Sequence, residues 1–270
     1  MTTGAPRPPD TWANGPAYES YVGRWSRAVA AEFLPWLDMP PGAHWLDVGC
    51  GTGALSGTIL ATANPGLVKG IDSSAPYVAF ASGHIPDTRA QFQTGDAQAL
   101  PEQDASYDAA VSGLMLNFLR VPGAAVGEMA RATRPGGVVA AYVWDYAGKM
   151  EFMRCFWDAV AALDPADRDV DEGQRFPLCN PDPLAALFLF AGLEDVEVEA
   201  IVVPTVFRDF DDYWSPFLGG QGAAPAYAMS LAEDRRSALR ERIRKTLPVA
   251  SDGSISMVAR AWAVRGTRSI

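Results

Sequence analysis

The stretch Leu46-Asp47-Val48-Gly49-Cys50-Gly51-Thr52-Gly53-Ala54 decides the fold. It continues an apolar run, His44-Trp45-Leu46-Asp47-Val48, that reads as a β-strand. Glycines at 49, 51 and 53 then strip side chains from every second position, which lets backbone approach a ligand closely. The spacing also satisfies G-x-G-x-x-G/A, with Ala54 in the last place, between a strand and a helix. The glycines by themselves leave two ligands open: a nicotinamide dinucleotide, or another molecule carrying an adenosine.

Working outward, strands alternate with helices. Apolar and aromatic positions recur at helical spacing from Tyr18 to Leu37, and the glycine loop opens a helix over Ala54 to Thr62. Further strands are expected at Leu67 to Asp72, Ala90 to Thr94, Tyr107 to Ser112 and Val138 to Val143. Helices are expected over Ala75 to Ser82 and Ala124 to Ala132, and Arg134-Pro135-Gly136-Gly137 reads as a turn. Two more helices, Met150 to Leu163 and Asp182 to Ala191, precede strands at Val196 to Val203 and Ser254 to Val264. This order predicts an α/β fold, a doubly wound, seven-stranded, mostly parallel Rossmann-like sheet. Residues 18–270 form one domain behind a disordered tail, 1–17, and residues 205–250 form a helical cap, a substrate lid inserted before the last strand.

Composition narrows the function. The chain of 270 residues carries a formal net charge of −10, which disfavours a polyanionic partner, since nucleic-acid grooves show a basic stripe. The dense basic stretch Arg235 to Lys245 is interleaved at helical spacing and reads as a solvated helix face. Three cysteines without C-x-x-C point to a reducing, cytoplasmic compartment. Two histidines, His44 and His84, are too few for a His-rich metal site, and no metal is expected. No apolar run is long enough to span a membrane.

Ligands of a parallel sheet sit at the carboxyl ends of its strands. The short polar signals Asp47, Asp72, Asp96, Ser112 and Trp144-Asp145 all fall there. A carboxylate at 47 opposes a pyrophosphate but suits a cation such as an amino acid's ammonium, with a capped turn as the plainer reading. Asp72 suits ribose hydroxyls under either ligand. Asp96 suits an adenine amino group, or simply a helix N-cap.

Taken together, W-L-D-V-G-C-G-T-G, G-I-D-S-S, G-D-A-Q-A-L-P, S-Y-D-A-A-V-S and R-P-G-G resemble the class I S-adenosylmethionine-dependent methyltransferases, in the small-molecule type 11 branch related to quinone-biosynthetic enzymes. The resemblance runs from Tyr18 to Trp144, and five motifs in the right order carry it. It implies S-adenosylmethionine as cofactor. Gly49, Cys50, Gly51 and Asp47 would then meet the methionine moiety, and Asp72 and Ser73 the ribose and adenine. Asp96 and Ala97 would read the adenine edge, and Ser112 would line the pocket near the sulfonium. The helix Y-E-S-Y-V-G-R-W-S would close over the cofactor through Tyr21, Arg24 and Trp25.

The acceptor side is less defined. Relatives often carry a histidine after the fourth strand, where this chain has Asn117. The remaining candidates for a catalytic group are Asp145 and Tyr146, and no catalytic residue is assigned. Trp144, Asn117 and the cap residues Tyr213 and Trp214 are the expected substrate-pocket residues. The reading is methyl transfer to a small-molecule acceptor by a monomer or homodimer. The alternatives are a non-catalytic S-adenosylmethionine-binding protein and, further off, a nicotinamide-dependent oxidoreductase.

Overall fold

The computed structural model describes residues 19–220 and 222–269; the tail expected over 1–17, and Tyr18, lie outside them. A single turn of π-helix, Glu19–Gly23, leads into α1 (Arg24–Leu37), which ends with Asp38 in the left-handed region. There follow β1 (His44–Val48), α2 (Ala54–Thr62), β2 (Leu67–Asp72), α3 (Ala75–His84), β3 (Ala90–Thr94) and β4 (Tyr107–Gly113). The second half holds α4 (Pro122–Ala132), β5 (Thr133–Trp144), α5 (Glu151–Leu163), α6 (Glu172–Arg175), α7 (Pro181–Phe190) and β6 (Leu193–Phe207). Last come α8 (Phe210–Trp214), α9 (Ala223–Ser230), α10 (Glu233–Thr246) and β7 (Ile255–Arg268).

The seven strands form one sheet in the order β3-β2-β1-β4-β5-β7-β6. The first five run parallel, and β7 is antiparallel to both β5 and β6. The expected fold class is therefore the observed one. Central strands are buried on both faces, as parallel sheets covered by helices require, and Trp45, Leu46 and Val48 of β1 are fully enclosed. Register fixes which side chains share a face. Asp47 pairs with Val111 and Gly113 with Tyr142, so Asp47, Gly113, Tyr142 and Trp144 project to one side. Helix α1 covers that side, its Phe33 ring 4.9 Å from that of Tyr142.

Two expectations need correction. The turn at Arg134-Pro135-Gly136-Gly137 lies inside β5, because Tyr107 pairs with Thr133 while Ala109 pairs with Val138. Two steps along β4 thus face five along β5, and the three extra residues bulge outward with Gly136 at φ +75°. The cap boundary also moves, since residues 205–207 finish β6 and the inserted helices begin at Phe210. These helices rest on α5 through aromatic packing. Phe217 stacks on Phe156 at 4.6 Å and 9°, and Tyr213 Oη donates to the Phe152 carbonyl at 2.7 Å.

Candidate active site

A cavity of about 280 Å³ opens at the carboxyl ends of β1, β2, β4 and β5. Its floor is the glycine loop. Gly49 and Cys50 donate backbone hydrogen bonds to the Ile71 carbonyl, tying the loop to β2. Gly49 sits at φ +74°, and a Cβ there would lie 2.4 Å from Met115 Cγ, so this glycine lets the segment after β4 close down. Gly51 sits at φ +53°, yet a Cβ there would have no neighbour within 4 Å. Its bareness leaves space for a ligand instead of for protein.

Asp47 lies fully buried on the cavity wall. Ser56 Oγ donates to its Oδ2 at 2.6 Å, while Oδ1 is buried with no hydrogen-bond partner among the described residues. Burial pushes the carboxyl up to about 7, against the pull of the Ser56 hydrogen bonds. A buried oxygen without a donor is costly unless something cationic or donating arrives. Asp72, ending β2, accepts from the Gly51 N–H at 2.9 Å and the Ser74 N–H at 2.8 Å. Each carboxylate oxygen has two lone pairs, so Asp72 keeps capacity for two further donors. Burial raises its pKa as well. Cys50 also lines the cavity, and burial pushes its thiol far above the usual range, so it is no thiolate. Ser73 completes this end of the wall.

The π-helical turn contributes Val22 and helix α1 contributes Ser26, four residues on, rather than the expected Tyr21, Arg24 and Trp25. Those three turn toward the inserted helices. Tyr21 packs edge-on against Phe152 and Phe217, Trp25 packs against Phe207, and Arg24 pairs with Asp212 at 3.1 Å. Their large apolar surfaces belong to the core; Val22 and Ser26 would have been found from the i, i+4 spacing. Ser112 is likewise displaced by one residue. Register with Asp47 puts Gly113, and not Ser112, on the cavity side, and Ser112 Oγ is buried without a partner elsewhere. Asp96 and Ala97 lie off the cavity wall. Asp96 is exposed and accepts from the Gln98 N–H at 2.8 Å, closing a local turn.

The opposite end is apolar. Leu114, Met115, Phe118 and Leu119 approach from the segment after β4, and Tyr142, Trp144 and Tyr146 from β5 and beyond it. Leu114 holds φ +61°, uncommon for a bulky residue, and its N–H is fixed to the Tyr142 carbonyl at 2.8 Å. Of the expected acceptor-side residues, Trp144 and Tyr146 lie on the wall. Asn117 does not: its amide is buried without a partner beside, not in, the lining. Asp145 is occupied. Arg260 pairs with it at 2.6 Å, and the Gly148 and Lys149 N–H groups donate to it as well. Tyr213 and Trp214 are buried in the aromatic packing under the inserted helices, away from the lining. Among the described residues no group of three or more His, Cys, Asp or Glu is placed to hold a metal, and no helix is long and apolar enough to cross a membrane.

Comparison with known proteins adds the following. Residues 46–141 match the family model described as "Methyltransferase domain". The chain is 30% identical over 193 residues to a malonyl-[acyl-carrier protein] O-methyltransferase of Erwinia billingiae, covering 66% of this chain and 74% of that one. It is 36% identical over 116 residues to a demethylmenaquinone methyltransferase of Roseiflexus castenholzii, covering 43% of this chain and 47% of that protein. The chain thus spans about half the length of several curated relatives it matches. Among solved structures, Haemonchus contortus phosphoethanolamine N-methyltransferase 2, bound to phosphomonomethylethanolamine and S-adenosylhomocysteine, superposes with a TM-score of 0.58 at 17% identity. That match covers 94% of this chain and 56% of the other. The [4+2]-cyclase SpnF superposes with a TM-score of 0.54 at 20% identity, covering 92% of this chain and 81% of that one. These last two likenesses concern the fold alone.

Proposed function

Because the chain belongs to the class I S-adenosylmethionine-dependent methyltransferases, of the type 11 branch, we propose that it transfers a methyl group to a small-molecule acceptor held in the apolar end of this cavity. The observation that carries the reading is Asp47 Oδ1, a buried carboxylate oxygen without a hydrogen-bond partner among the described residues, on a side chain that lines the cavity beside the glycine loop. It suits an ammonium group and would repel a pyrophosphate, which argues against a dinucleotide.

S-adenosylmethionine, when bound, supplies an electrophilic methyl on a sulfonium. The protein's part is binding and alignment. Asp47 takes the ammonium, Asp72 offers its remaining lone pairs to ribose hydroxyls, and Gly51 leaves the backbone open to close contact. Leu114, Trp144 and Tyr146 wall the other end and exclude water, which favours direct displacement in a fixed line. Among the described residues no Lys, Arg or His lines the cavity, and Asp145 is held by Arg260. The acceptor therefore brings its own lone pair, as a neutral amine, thiolate or acidic hydroxyl does.

The test is direct. Isothermal titration with S-adenosylhomocysteine gives micromolar binding, and an acceptor panel releases that product from S-adenosylmethionine. Absence of binding overturns the reading; binding without turnover across the panel favours a non-catalytic binder.

A further inference from the structure

Three rings from separate segments meet at the apolar end of the cavity. Phe118 closes the short turn after β4, Tyr146 follows β5, and Phe176 follows α6. The Phe176 ring lies 5.2 Å from Phe118, nearly perpendicular at 79°, and 5.5 Å from Tyr146. Phe118 and Tyr146 line the cavity, whereas Phe176 stands behind them and touches both.

The segment carrying Phe176 is fastened to the one carrying Tyr146. Arg154 donates to the Tyr146 carbonyl at 3.0 Å and grips both oxygens of Asp171, at 2.8 and 2.7 Å. The adjacent Glu172 is buried and accepts from Trp157 Nε1. Gly173 packs so closely that a Cβ there would lie 3.0 Å from Ala147 Cα. One bidentate guanidinium thus sets the positions of both rings. Among the described residues the carboxylates on the lining are Asp47 and Asp72, from β1 and β2, and no Lys, Arg or His lines the cavity to receive an anionic group.

We propose that Phe118, Tyr146 and Phe176 form an aromatic collar that selects a planar, uncharged ring as the methyl acceptor, with Phe176 as a positioning residue that aims the other two. The proposal rests on the methyl-transfer reading above. Edge and face contacts between rings have directional preferences that a saturated ring cannot satisfy, each worth roughly a 2- to 12-fold difference in affinity.

The experiment uses the full chain saturated with S-adenosylhomocysteine and titrates it with naphthol and with its saturated analogue decalol. Wild type is expected to bind naphthol at least fivefold more tightly. Phe176→Leu, which keeps apolar bulk but removes the ring, lowers that preference to about one, and Phe176→Trp retains it. Phe118→Leu serves as the second ring deletion, with the same expected loss of preference, should the first variant fold poorly. Affinity for S-adenosylhomocysteine stays within twofold in every variant, which a general loss of structure would not allow. Equal or absent binding of the two alcohols by wild type overturns the collar, as does an unchanged preference in the leucine variants. Failure of wild type to bind S-adenosylhomocysteine overturns the methyl-donor reading itself.

Discussion

Ser56 Oγ donates to Asp47 Oδ2 at 2.6 Å, and so leaves the other oxygen of the same carboxylate buried and unpartnered on the cavity wall. Ser56 thus occupies one oxygen and leaves the other without a donor among the described residues. Asp47→Asn keeps the shape and removes the charge. Hydrogen bonds to charged groups contribute about 1.5–3 kcal/mol, so S-adenosylhomocysteine affinity is expected to fall roughly 10- to 100-fold in titration calorimetry. A change under threefold would remove Asp47 from the ammonium site.

The same carboxyl titrates within reach of ordinary buffers. Burial lifts it to about 7, so a proton arriving at lower pH removes the charge that an ammonium needs. Affinity for S-adenosylhomocysteine is expected to be greatest above about pH 8 and to weaken as pH falls through 7, a dependence that Asp47→Asn abolishes. Stability of the ligand-free protein moves the other way. The unfolded Asp ionises near 3.8 and the folded one only near 7, so the folded state binds the extra proton between them. That contribution to stability is therefore lost as pH rises across the interval. Thermal unfolding of wild type and Asp47→Asn at pH 5 and pH 8 separates this group from the others.

Neighbouring glycines are expected to fail differently. Gly49→Ala drives a Cβ to 2.4 Å from Met115 at a left-handed backbone, so this variant loses stability and folds poorly. Gly51→Ala meets nothing within 4 Å and carries only the left-handed strain of about 1–2 kcal/mol. It folds, with a slightly lower Tm, and loses cofactor binding because its methyl occupies the opening. A Gly51→Ala variant that binds S-adenosylhomocysteine normally would show that the opening is not the cofactor's.

Asp145 reads as structural. Breaking a buried pair costs about 3 kcal/mol, which for a chain of this size is roughly 6–12 °C in Tm. Asp145→Asn is expected to show that drop while the pH profile of turnover keeps its shape. A profile that flattens in this variant would instead make Asp145 the base.

Much of the fold was legible because its signals are local. The strand at 44–48, the glycine loop and the helix from Ala54 follow from backbone chemistry within a dozen residues, and Asp47 and Asp72 follow from the ends of their strands. What escaped depends on partners distant in sequence. Ser112 and Gly113 are adjacent, and only the pairing of Val111 with Asp47 tells which one faces the ligand. Tyr21, Arg24 and Trp25 are implied as cofactor contacts by the resemblance alone, whereas in the structure their side chains pack beside Phe207, Phe217 and Asp212. Tyr213 and Trp214 are aromatics that suit an apolar acceptor by composition, yet Tyr213 is buried against Phe152 of α5 and Trp214 against Phe210 and Phe217. Phe176 is one aromatic among many in the second half of the chain, and only its contacts with Phe118 and Tyr146 single it out.

The cavity is split along the chain. Asp47, Gly51 and Asp72 come from the first two strands, while its apolar wall comes from segments that follow β4 and β5. Mutational drift can therefore rework one half and leave the other standing. The family model matches residues 46–141 and so takes in Phe118 of that wall, while the alignment to the Erwinia billingiae relative spans 66% of the chain and runs past Tyr146 and Phe176 as well.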